Sequence, residues 1–372
     1  MKLRHLGSTG CKVSVIGLGG TAFFHSGKTE DPETLIGAAL DGGINIIDTA
    51  REYHNSEIII GSALSSMKAR DNFIIASKTS RRDFSGAMAD IEKSLKNLRT
   101  DRIDLYQAHN IQYREELEAV SGIKGAMGAL LKAKEQGKIL HIGFSAHRPG
   151  MMQETIGTGL FETIQLPVNY IEYESMKPVI REAAAKSMGI FAMKAFCGGA
   201  ISNKALALKF TLKMGLSSVF VGAVNIKELT DDIRAAAEND GSSPEETAGM
   251  LETEDAAAGQ FCRLCRTCES SCPKGIPVAD IFRSERHIIY SATFARNEYR
   301  AMPANFLKCD LCGSCDKACP YSLPVTEMLG KAHARLSGGR VEDFVANIAR
   351  KAGIYDRLRN LYFKLKLPLP KR

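Results

Sequence analysis

Along the first two-thirds of the chain, short apolar runs alternate with longer stretches in which apolar residues recur every three or four positions. Runs at 13–19, 45–50, 72–78, 102–109, 141–145, 163–169, 189–195 and 218–224 are rich in Ile, Val, Leu and Phe and have the length of buried strands. Between them, stretches such as 32–40, 57–67, 87–98 and 123–136 carry the helical period. Eight strands, each followed by a helix, predict an α/β chain folded as a (β/α)8 TIM barrel over 1–240. A doubly wound sheet also alternates, but Gly17-Leu18-Gly19-Gly20 after the first run does not continue into G-x-G-x-x-G.

The alternation stops at about residue 239. The sequence NDGSSPEET is rich in turn formers and ETEDAAAG is acidic and small, so 241–260 reads as a linker. Beyond it, from 261 to 330, the cysteines take over the pattern. Cys262, Cys265, Cys268 and Cys272 form C-x2-C-x2-C-x3-C-P, and Cys309, Cys312, Cys315 and Cys319 repeat it. This spacing holds a [4Fe–4S] cube, with the fourth cysteine of each run ligating the other cube. One cluster is thus assigned to Cys262, Cys265, Cys268 and Cys319, the second to Cys309, Cys312, Cys315 and Cys272. The repeat extends past the ligands: CPKGIPV follows the first run and CPYSLPV the second, placing Ile276 and Leu323 as matching shields against water. The 36 residues between the runs, with helical patterning at 281–290, predict a small, mostly helical ferredoxin-like iron–sulfur domain. The two remaining cysteines, Cys11 in an N-terminal hairpin and Cys197 after the seventh strand, read as packed thiols.

Composition narrows the setting. The chain has 372 residues and 44% apolar content, enough for one large and one small domain. No apolar run has the length of a transmembrane helix, and MKLRHLGSTG lacks the apolar core of a signal peptide. Iron-ligating thiols imply a reducing, cytoplasmic location. The net charge of +7 resides in the segment 331–372, which carries 11 Lys and Arg against 3 Asp and Glu. The barrel and cluster regions are close to neutral, which removes the main support for a nucleic-acid partner. Within 354–366, apolar residues at helical spacing are interleaved with Arg and Lys. This basic tail reads as a helix docked on its own protein in preference to one lying on an anionic membrane surface.

Several motifs carry a resemblance. G-I-N-I-I-D-T-A-R-E-Y-H-N-S-E at 43–57, the opening at 4–20, A-S-K at 76–78, D-R-I-D-L-Y-Q-A-H at 101–109 and G-K-I-L-H-I-G-F-S at 137–145 are similar to the aldo-keto reductase family, over roughly 1–238. The resemblance implies a catalytic tetrad of Asp48, Tyr53, Lys78 and His109. Strand placement agrees independently, because these positions lie at or just after the ends of the second, third and fourth strands, on the C-terminal rim. Hydride delivery to a carbonyl needs a proton at the developing alkoxide. Tyr53 suits that role if its phenol, ordinarily near ~10, is lowered by the Lys78 ammonium. Asp48 would hold Lys78, and His109 would hydrogen-bond the carbonyl oxygen.

The resemblance also implies NAD or NADP, with Ser145 and Gln165 at the nicotinamide carboxamide and Gly222, Lys227 and Glu228 at the nucleotide phosphate. This chain departs from the family there. Ala146 stands where Asn is usual, Met193 and Lys194 stand near the position of a stacking aromatic, and Lys227 is the sole cation of VGAVNIKEL. An acid at Glu228 favours a free ribose hydroxyl over a 2′-phosphate. The leading expectation is an iron–sulfur oxidoreductase acting on a small-molecule carbonyl/alcohol pair. Tyr53 is its proton donor, and two [4Fe–4S] clusters carry electrons to or from a redox protein partner. Two alternatives remain open at this level. One is an electron-transfer subunit whose barrel is a docking scaffold. The other is an NAD(P)H carbonyl reductase with structural clusters.

Overall fold

The computed structural model describes residues 1–24, 30–199, 201–238, 243–254, 261–288 and 292–338. The basic tail helix expected at 354–366 lies outside the described residues. The chain divides into two compact units, Met1–Gly259 and Gln260–Arg372.

The first unit opens with an antiparallel hairpin of β1 (Leu3–His5) and β2 (Lys12–Ser14). Eight parallel strands then close a barrel: β3 (Ile16–Gly19), β4 (Ile46–Asp48), β5 (Ile74–Thr79), β6 (Ile103–Ala108), β7 (Ile139–Ser145), β8 (Thr163–Pro167), β9 (Gly189–Met193) and β10 (Ser218–Val221). Every run expected to be a strand contributes one, but the first divides. Val13 pairs with Arg4 in the hairpin, whereas Ile16 pairs with Val219 across the barrel seam. Ser14 makes the break: its Oγ donates to the Ile16 carbonyl at 2.7 Å, and its N–H donates to Asn45 Oδ1 at 2.7 Å. The hairpin stoppers the barrel floor. Leu6 and Val13 pack with Ile46, Ala76, Leu105, Phe191 and Phe220, all buried, and the last two rings stack at 5.0 Å. Gly7 makes this approach possible. Its φ is +54°, and a Cβ there would lie 2.3 Å from the Gly189 nitrogen.

Strand periodicity of two converts this floor into a site one layer higher. Ile46, Ala76, Leu105 and Thr163 point inward, so Asp48, Lys78, Gln107 and Gln165, two residues on, point inward above them. Cross-strand register aligns Lys78 with Gln107 and Ser145 with Gln165.

The expected linker is partly helical. Pro244–Glu254 forms a helix that belongs to the barrel unit. Its start is a capping box: Glu246 N–H donates to Ser243 Oγ at 3.0 Å, and Ser243 N–H donates to Glu246 Oε2 at 2.7 Å. Lys213 Nζ reaches Thr247 Oγ1 at 3.0 Å. The turn formers S-S-P mark a helix start here, where sequence reading took them for a loop.

The second unit is helical and built as a repeat displaced by 47 positions. Helix Val278–His287 corresponds to Val325–Leu336, and each follows a cysteine run. Glu269 Oε1 accepts the Ala279 N–H at 2.8 Å, and Asp316 Oδ1 accepts the Thr326 N–H at 2.7 Å, tying each cysteine loop to its helix in the same way. Ile276, Leu323, Val278 and Val325 are buried among the thiols.

Candidate active site and cluster-binding loops

The four tetrad positions meet at the barrel mouth. Lys78 Nζ donates to Asp48 Oδ1 at 2.5 Å and to the Thr49 carbonyl at 2.7 Å. Its ammonium also lies 5.1 Å from the centroid of the Tyr53 ring. Tyr53 and His109 meet edge to face with centroids 5.9 Å apart. Asp48 and Lys78 are buried, while Tyr53 and His109 are half-buried. The sequence places β4 short enough that Thr49–Tyr53 can turn over the rim. Gly20 makes room for that turn, since a Cβ on it would lie 2.5 Å from the Asp48 carbonyl oxygen.

One electrostatic expectation is overturned. Burial raises the Tyr53 hydroxyl above its ordinary value, and the nearby charges of Asp48 and Glu52 push the same way. Lys78 stands over the ring face and hydrogen-bonds Asp48 and Thr49, and its pull on the phenol does not outweigh burial. Burial also lowers the Lys78 ammonium, and the Asp48 carboxylate opposes that fall.

Sequence reasoning missed two residues of this site. Gln107 Nε2 donates to Gln165 Oε1 at 3.0 Å, and Gln165 Nε2 donates to Asp48 Oδ2 at 3.3 Å, a polar layer beneath the rim. The alternation in D-L-Y-Q-A-H carried that signal, because Gln107 shares a face with Leu105. The second is Glu52, whose Oε2 lies 2.9 Å from His109 Nδ1. It adjoins Tyr53 in sequence, but its reach to the β6 end is a tertiary fact.

Four of the five expected nicotinamide and phosphate contacts, Ser145, Gln165, Lys227 and Glu228, bond within the protein. Gln165 is held as described. Ser145 Oγ accepts the Asn110 N–H at 2.9 Å. His147, beside Ala146, bonds through Nδ1 to Asn110 Oδ1 at 2.7 Å. After β10 the chain enters the helix Ile226–Ala237, the expected phosphate seat beyond Gly222. Two of the protein's own carboxylates occupy that helix start. Glu30 Oε2 accepts the Ile226 N–H at 2.7 Å, and Glu228 Oε2 accepts the Val224 N–H at 3.1 Å. Glu228 also pairs with Lys204 at 3.3 Å, and the exposed Lys227 pairs with Asp231 at 2.8 Å. A helix N-terminus attracts one anion, and two carboxylates there repel another. Glu30 and Glu228 thus stand where the phosphates of NAD or NADP are expected, and their charge disfavours a further anion there.

The cysteine loops fit clusters. Cys272, Cys309, Cys312 and Cys315 line one small cavity together with Ile276, Val278 and Leu329. Three are from the second run and one from the first, which is the crossed set expected for one cube. Cys262 lies close enough to Cys265 and Cys319 to sense their charge, as the other set requires. Backbone N–H groups of Leu264 and Leu311, both at positive φ, donate to Cys262 and Cys309 Sγ at 3.4 Å. Thr267 Oγ1 lies 3.3 Å from Cys265 Sγ, and Ser314 Oγ lies 3.3 Å from Cys312 Sγ. As free thiols, Cys262 and Cys268 are pushed up by burial to about 11 and about 12. Iron binding would hold them as thiolates.

The aldo/keto reductase family model matches residues 15–206, a span that includes all four rim residues. The chain belongs to the aldo/keto reductase family. A 4Fe-4S dicluster domain matches residues 261–324, so this reductase-family barrel is continued by an iron–sulfur domain. Aldo-keto reductase YhdN of Bacillus subtilis is 32% identical over 220 residues, which are 55% of this chain and 65% of that protein. L-galactose dehydrogenase of Arabidopsis thaliana is 23% identical over 286 residues, 64% of this chain and 89% of that one. Among solved structures, aldo-keto reductase AKR11C1 from Bacillus halodurans, in its holo form, shares the barrel with a TM-score of 0.59. It is 21% identical and aligns over 68% of this chain and 96% of its own. Among the described residues, no helix is long and apolar enough to cross a membrane.

Proposed function

We propose that the chain is an iron–sulfur oxidoreductase that interconverts a small-molecule carbonyl and its alcohol at the barrel rim. The observation that carries this reading is the meeting of Asp48, Tyr53, Lys78 and His109 at the mouth of a reductase-family barrel whose own chain continues into a 4Fe-4S dicluster domain. Carbonyl reduction takes two electrons and two protons. One proton goes to oxygen from the Tyr53 hydroxyl and one to carbon from solvent. When bound, the clusters supply electrons one at a time, exchanged with a redox protein partner. His109 orients the substrate oxygen. Asp48 and Lys78 keep a positive charge under the Tyr53 ring, where negative charge develops as the phenol gives up its proton. No step is assigned to nicotinamide, because Glu30 and Glu228 accept hydrogen bonds at the helix start where its phosphates are expected.

The test uses full-length protein with clusters reduced by dithionite, excess reductant removed, and a panel of aldehydes and ketones added anaerobically. Reoxidation of the clusters with matching alcohol formation supports the reading. Tyr53→Phe slows that reoxidation by about 10²–10⁴, the usual contribution of a positioned acid. Equal rates in the variant and the parent would remove the barrel from the chemistry.

A further inference from the structure

We propose that Glu52 is a positioning residue that fixes the tautomer of His109, so that the rim accepts an alcohol when His109 is neutral and a carbonyl only when His109 is protonated. This deepens, and rests on, the reading of the rim as the reaction site.

The geometry is direct. Glu52 Oε2 lies 2.9 Å from His109 Nδ1. The same carboxylate is steadied from behind, where its Oε1 accepts the Ser80 N–H at 3.2 Å. Ser80 Oγ stands 3.5 Å from Nδ1. An ionised carboxylate only accepts hydrogen bonds, so Nδ1 carries the hydrogen. In a neutral imidazole the other nitrogen is then a bare acceptor. His109 Nε2 has no protein partner among the described residues, so its lone pair is free for a substrate at the rim.

A carbonyl oxygen offers only lone pairs. Set against a bare Nε2 it meets acceptor with acceptor, which repels. An alcohol O–H donates to the same nitrogen. Protonation reverses the preference, because Nε2–H then donates to a carbonyl oxygen and no longer accepts from a hydroxyl. The family-based expectation of His109 as a donor to the carbonyl therefore holds only for the imidazolium.

The groups facing His109 are Glu52, Asp48, Lys78 and the Tyr53 ring edge, with Arg82 Nη1 on the His109 carbonyl oxygen at 2.8 Å. Burial lowers His109 from its ordinary value, Glu52 opposes the fall and Lys78 adds to it, so the neutral form prevails at pH 7. Glu52 is itself raised by burial, but its bonds to His109 and Ser80 outweigh this and bring it to about 2. It stays ionised throughout the range in which His109 titrates.

The experiment is ¹⁵N NMR of the histidine rings in full-length holoprotein with oxidised clusters, under argon, titrated from acid to neutral pH. His109→Asn identifies the His109 signals among the eight histidines. The expected result is a neutral His109 protonated on Nδ1, with a midpoint that falls by about 1 pH unit or more in Glu52→Gln as the opposite charge is lost. A neutral His109 protonated on Nε2 in the parent protein overturns the proposal without recourse to any variant. So does a midpoint that Glu52→Gln leaves in place. Neither readout depends on turnover, so the proposal can fail while the Tyr53→Phe test succeeds, and the reverse.

Discussion

At the residue scale, the buried Asp48–Lys78 pair sets what the rim can tolerate. Each partner is out of water, and each charge is compensated chiefly by the other. Lys78→Met strands the Asp48 carboxylate with only Gln165 beside it, and the barrel should lose about 3–5 kcal/mol in denaturant unfolding. Asp48→Asn combined with Lys78→Met should cost less than the two single changes added together, because the double variant buries no unpaired charge. These positions were legible in sequence because a short motif puts Asp48 and Tyr53 five residues apart and strand ends put Lys78 and His109 on the same rim. Glu52, Gln107 and Glu30 were not legible as site residues. Each owes its role to a partner at least 28 positions away, and nothing local to it distinguishes a polar side chain that meets such a partner from one that meets water.

At the element scale, the helix Ile226–Ala237 concentrates acid at its start. Full-length protein titrated with NADPH, followed by cofactor fluorescence, should show no saturation up to about 1 mM, the top of the usual range for substrates. Relief in Glu30→Gln combined with Glu228→Gln would identify the carboxylates as the block. The same helix carries Asp232, which burial, with Glu228 and Asp231, raises to about 7 against the pull of Lys204. A carboxyl whose folded value exceeds its unfolded 3.8 favours folding only while protonated. That contribution is full below about 4, declines as the pH climbs, and is gone above about 7. Asp232→Asn, which imitates the protonated form, should therefore raise stability at pH 8 and change it little at pH 4. Thermal unfolding at the two pH values checks the sign. The helix Pro244–Glu254 teaches a related lesson. Ser-Pro-Glu-Glu reads as turn or as helix start on composition alone, and the Ser243–Glu246 capping box together with the bond from Lys213 to Thr247 favours the helix.

At the scale of the whole molecule, two units are joined in one chain, and the second is organised around its thiols. Its core includes Cys268 and Cys315 along with Leu264, Ile281, Phe282 and Leu329. Crossed ligation makes a specific prediction. Cys265→Ser and Cys319→Ser should erase the same EPR signal of the reduced protein, whereas Cys312→Ser and Cys272→Ser should erase the other. Loss of one signal by Cys265→Ser and Cys272→Ser together would mean that each run keeps its own cube.

The sequence by itself determined the barrel and the two cysteine runs, because each is written in spacing: period two for strands, 3.6 for helices, and fixed intervals for thiolates; the four rim residues came from the likeness of the motif around Tyr53 and of the strand ends to a known family. What only the tertiary structure decided is the electrostatic state of the site. Lys78 stands 5.1 Å from the centroid of the Tyr53 ring, Glu52 reaches Nδ1 of His109, and Glu30 crosses to a helix 196 positions away. Coulomb energies and hydrogen bonds depend on distance and burial, and no interval along the chain encodes either across a closed barrel.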